Sequence, residues 1–188
     1  MIKPSKEGAM FDMGDTDSPT DQMSGTPRIV VVGLGSPIMC DDAIGLRVSE
    51  RIESMGLENV DCCQEAIGGL DILPVIHGYD YAVIVDAIQT MQYDPGTVML
   101  FSESDFADVV ADAATHDVNL PTALKIGRGM DPDIMPKEVR FVAIEVDDIK
   151  TVSETMTPAV EASVDSATDA VLHVISELRK RARTDRSS

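Results

Sequence analysis

At 188 residues with 44% apolar side chains, the chain can bury one substantial core but would be cramped as two domains. Its formal charge of -18, from 33 acidic against 15 basic residues, repels phosphate backbones and anionic headgroups and argues against nucleic-acid and membrane partners. No apolar run approaches the roughly 20 residues of a membrane span, no charged-then-apolar leader opens the chain, and Cys40, Cys62 and Cys63 show no CxxC spacing, so a soluble, cytoplasmic protein without a disulfide scaffold or structural zinc is expected.

Residues 1–27 mix Pro, Gly, Ser and acids without periodicity and predict a flexible N-terminal tail. From Arg28 the run RIVVVGLG reads as a strand buried on both faces. A helix follows, with Ile44, Val48, Ile52 and Met55 at helical spacing, Asp41 as N-cap and Gly56 as stop. Residues 60–65 predict a second strand, 70–76 a short helix, 81–88 (YAVIVDAI) a third strand and 96–101 (GTVMLF) a fourth. Residues 120–126 have the composition of a short helix and 127–136 that of a loop, before a fifth strand over 139–146 (VRFVAIEV). A long helix starts at Thr157-Pro158, presents Val160, Val164, Val171, Val174 and Leu178 on one face, and ends in Arg179, Lys180 and Arg181.

Strands alternating with helices predict a single α/β domain over 28–182, a three-layer αβα fold around a mostly parallel, twisted sheet of about five strands, with 183–188 as a disordered tail. In such sheets the functional crevice lies at the carboxyl ends of the strands, where the strand order reverses, commonly between the first and third. Asp42 follows the first strand, Asp86 stands near the end of the third, and His116 sits in the loop after the fourth (ATHDVNLP). Two carboxylates and an imidazole from three strand ends, leaving coordination positions open, are the pattern of a reactive metal site.

Each of these residues has a plainer reading: helix capping for Asp42, a turn or cap for Asp86, solvation for His116. His77, in a turn, and His173, beside the apolar stripe of the last helix, read as structural or surface residues. GLGSP lacks the third glycine of a dinucleotide loop and the GK[ST] of a P-loop, and Asp41 and Asp42 would repel a phosphate there. Cys40, at a helix start, is the one credible nucleophile, with His116 as its base, but neighbouring carboxylates oppose a thiolate.

GLGSPIMCDDAIGLRVSERI resembles the opening signature of the hydrogenase maturation proteases, and IGGLDILPVIHGYDYAVIVDAI, THDVNLPTAL and MTPAVEASVDSATDAVLHVI resemble later blocks of that family in the same order. The resemblance implies an aspartic-type endopeptidase that removes the C-terminal peptide from a nickel-iron hydrogenase large-subunit precursor after nickel insertion. It further implies that Asp42, Asp86 and His116 bind metal and act in catalysis, and that Gly68 and Gly69 serve substrate recognition. The nickel would come with the precursor, and another divalent metal could occupy the same site in isolation. The sequence has AIGGLD where many members have a GT-x-G-like stretch, and Ser36 where Asn is common. A monomer is expected. Two other readings stand beside this one: a noncatalytic factor that docks on a metalloprotein precursor as an assembly check, and a mononucleotide-binding α/β protein.

Overall fold

The computed structural model describes residues 26–112 and 120–185. The expected N-terminal tail, His116 and residues 186–188 lie outside that range, apart from Thr26 and Pro27. Five strands, β1 (Ile29–Leu34), β2 (Val60–Glu65), β3 (Tyr81–Ile88), β4 (Val98–Ser102) and β5 (Glu138–Glu145), form one sheet in the order β2-β1-β3-β5-β4. All pairings are parallel except β4 with β5. The order runs outward from β1 in both directions, so the reversal lies between β1 and β3, which pair directly with Gly33 opposite Val85.

Helices cover both faces. On one lie α1 (Ile44–Ser54), α5 (Pro158–Ala162) and α6 (Val164–Asp185), whose Ile44, Val48, Val160, Val171 and Leu178 pack on Val31, Val83 and Val142. On the other lie α2 (Ile72–Ile76), α3 (Glu103–Asp112) and α4 (Leu120–Met130), with Ile72, Phe106 and Leu124 against Val32, Ile84 and Phe141. Phe106 stacks on Phe141 with ring centroids 4.0 Å apart, joining α3 to the sheet. Alternate residues of each central strand feed alternate cores, so β1 and β3 read as continuous apolar runs.

The structure departs from the sequence expectations at five places. Asp41 caps no helix: it sits inside a 3₁₀ turn, Cys40–Ala43, and its carboxylate bonds a distant loop instead. Met55 leaves the buried stripe of α1 and is exposed. Helix α3 was not expected from its mixed composition, although Ser102 and Asp105 form a reciprocal capping box at its start, with the Ser102 N–H donating to Asp105 and the Asp105 N–H to Ser102 Oγ. Helix α4 continues through Gly127, read as the start of a loop; the residue is buried, and a Cβ there would stand 2.8 Å from the side-chain ends of Leu73 and Met135. The last helix is interrupted at Ser163, whose hydroxyl donates to the Val160 carbonyl, and it runs on to Asp185, past the boundary expected after residue 182.

Candidate active site

Two glycines set helix α1 against the ends of β1 and β3. A Cβ on Gly33 would lie 2.2 Å from the Gly45 carbonyl oxygen, and one on Gly45 would lie 2.3 Å from that of Leu34 and 2.5 Å from that of Val85. The start of α1 therefore rests on bare backbone at the place where strand order reverses. The chain reaches it through Gly35, whose φ of +138° and whose approach to the Asp42 carbonyl, 1.8 Å from a notional Cβ, admit no side chain.

That turn fixes Asp42. Half-buried, its Oδ2 accepts the Ser36 N–H at 2.7 Å, closing the loop on itself. The bond comes from the backbone, so serine in place of asparagine at position 36 leaves it intact. It also places a carboxylate of the chain itself at the strand-to-helix turn, where a nucleotide site would hold phosphate. Asp86 is the sixth residue of β3, half-buried and paired with Ala143 of β5. By strand alternation it shares the face of Ala82 and Ile84, whereas Asp42 arrives on the connection to α1 on the opposite face. The two acids thus reach the same pair of strand ends from the two sides of the sheet.

Carboxylates at these strand ends can accept protons or ligate a divalent cation. Among the described residues no three His, Cys, Asp or Glu side chains group to hold a metal ion. His116, the expected third ligand, lies outside the described residues. By donor chemistry alone, two carboxylates would suit a divalent ion, and an imidazole added to them a borderline metal such as nickel or zinc.

Two buried carboxylates hold the surrounding loops: Asp41, which the sequence suggested as an N-cap, and Glu145, to which it gave no role. Asp41 is 0% exposed; its Oδ2 accepts the N–H groups of Asp147 and Asp148 and the Thr157 hydroxyl, and its Oδ1 the Thr157 N–H at 2.7 Å. Glu145, 1% exposed at the end of β5, accepts the N–H groups of Thr90 and Met91 and the Thr90 hydroxyl. Each lies on the carboxyl edge and binds donors more than 50 positions away in sequence. The available signal was an acid in an otherwise apolar context, which burial makes expensive unless several donors meet it.

Burial pushes the Cys40 thiol above its ordinary value, and the Asp41 and Asp148 carboxylates add to the effect. A buried thiol whose deprotonation is disfavoured is a poor nucleophile. All three cysteines are free. Gly68 is exposed and extended, whereas Gly69 takes φ +58° and opens the 3₁₀ turn Gly69–Asp71 after β2, on the same edge of the sheet. His77 follows α2, and exposed His173 lies 3.5 Å from Glu177 on α6, both away from the Asp42 turn.

A family model described as hydrogenase maturation protease matches residues 46–174, more than half of the chain. The chain belongs to the hydrogenase maturation protease family. The match contains Asp86 and starts just after Asp42. The chain is 26% identical over 153 residues to the hydrogenase 2 maturation protease of Escherichia coli K12, covering 80% of this chain and 92% of that one. The solved E. coli endopeptidase HybD superposes with a TM-score of 0.69 at 26% identity, over 80% of this chain and 93% of its own. The [NiFe] hydrogenase maturation protease HybD of Thermococcus kodakarensis superposes with a TM-score of 0.65 at 25% identity, over 79% and 99%. This family member is accordingly a peptidase with the three-layer α/β fold of its relatives, and among the described residues no helix is long and apolar enough to cross a membrane.

Proposed function

We propose that the chain removes the C-terminal extension of a nickel-loaded hydrogenase large-subunit precursor in the cytoplasm, acting as a monomer. Asp42, Asp86 and His116 engage nickel already held by the precursor. What supports this reading is membership of the family, together with the places of Asp42 just after β1 and of Asp86 near the carboxyl end of the neighbouring β3. A site that takes up a metal borne by its substrate recognises correct loading and places the adjoining peptide bond in one step. Empty precursor lacks that anchor and binds poorly.

In hydrolysis one carboxylate accepts a proton from water while the water oxygen bonds the scissile carbonyl carbon. The C–N bond then breaks, and the proton passes to the departing amine. Nickel on the precursor supplies charge that polarises the carbonyl. Gly68 and Gly69, exposed or half-exposed after β2, offer backbone to the extended tail without a side chain in the way.

Incubation of the protein with nickel-loaded and nickel-free precursor, read by intact mass spectrometry, tests the reading. Loss of a short C-terminal peptide from the loaded form alone is expected. Unchanged mass despite binding would favour a noncatalytic assembly factor, and equal cleavage of both forms would remove nickel from recognition.

A further inference from the structure

The carboxyl edge carries exposed apolar side chains that neither core nor catalysis uses. Ile38 is 50% exposed on the β1–α1 loop, Met91 76% and Tyr93 53% on the β3–β4 loop, and Val152 75% on the β5–α5 loop. These loops are bonded to one another. The Ser153 N–H donates to the Ile38 carbonyl at 3.0 Å, the Cys40 N–H to the Ser153 carbonyl at 2.9 Å, and Gln89 Nε2 to the Asp147 carbonyl at 2.7 Å. Asp41 and Glu145 clamp the same segments from beneath. Single exposed apolar residues are ordinary on a protein surface, but these four stand on loops fastened together around Asp42 and Asp86.

Charge completes the description. The loops after β1, β2, β3 and β5 carry the half-buried or exposed carboxylates Asp42, Asp71, Asp94, Asp147, Asp148 and Glu154, against Lys150 as their single base. Exposed apolar side chains on mutually bonded loops rich in carboxylates suit a partner with apolar contacts and positive charge. We propose that Ile38, Met91, Tyr93 and Val152 form a docking surface for a basic, apolar-tipped segment of the precursor protein, an inference that rests on the processing role above. Because the loops are already tied, docking orders little new backbone.

A Met91→Ser/Val152→Ser double variant, with Met130→Ser on the 79% exposed end of α4 as control, tests this with nickel-loaded precursor. Both the Kd for precursor and the KM and kcat of processing are measured, at low and high salt. The double variant should raise Kd and KM about tenfold with kcat unchanged, the scale of losing interface anchors. Wild-type Kd should weaken several-fold as salt rises from about 0.05 to about 0.5 M, since screening shortens the reach of the acidic rim. The control should match wild type. An unchanged Kd in the double variant, or salt-indifferent binding by wild type, would overturn the docking surface. Wild type that binds with these dependences yet leaves the precursor's mass unaltered would sink the processing role alone, and wild type that binds no precursor would sink both.

Discussion

Asp41 and Asp42 stand side by side and have different surroundings. Asp42 is half-buried at the edge, whereas Asp41 faces inward and satisfies three backbone N–H groups and a hydroxyl from the β5–α5 segment. Asp41→Ala would leave those part-buried donors without their acceptor, and a loss of about 3 kcal/mol in urea unfolding is the expected outcome. A loss below about 0.5 kcal/mol would show that the loop is held by other contacts. Burial raises the Cys62 thiol to about 12 and the Cys63 thiol to about 11 from an ordinary 9.0, with Glu53 and Glu65 respectively adding to the shift. Between pH 9 and those values the folded chain holds protons that the unfolded chain has released. The associated stability is thus complete below about pH 9 and is lost as pH rises toward 11 to 12. Urea midpoints measured across that window should fall, and fall less steeply in a Cys62→Ala/Cys63→Ala variant; parallel curves would contradict the assignment.

At the scale of elements, the join between α1 and the sheet is the most constrained part of the fold. A methyl at Gly45 meets the carbonyl oxygens of Leu34 and Val85, backbone atoms that cannot swing aside. Gly45→Ala should therefore push the start of α1 away from β1 and β3, costing about 2–3 kcal/mol and displacing Asp42 with it. The thermal midpoint and the processing rate should fall together; a variant with wild-type values for both would show that the contact yields. The strands were legible because burial on both faces writes continuous β-branched runs such as IVVVGL. Helix α3 was hidden because its face pattern is weak and its capping box uses aspartate in place of glutamate. Gly127 misled because a buried glycine packed inside a helix is the same letter as one that ends a helix.

For the whole molecule, β1 beside β3 was anticipated from alternating strands and helices, and that neighbourhood turns two distant aspartates into candidate partners. The inward roles of Asp41 and Glu145 were not legible, since each depends on donors far away in sequence whose proximity only the complete fold creates. The apolar rim was equally hidden, because Met91 and Val152 lie in loops without periodicity and acquire a common setting only when those loops bond to one another. The same assembly makes the carboxyl edge of β1 and β3 the place where processing is expected. Processing of nickel-loaded precursor by Asp42→Asn and by Asp86→Asn, followed by intact mass, tests that most directly. Each variant should keep its fold and lose at least about a hundredfold in rate, whereas wild-type processing by either would contradict the account.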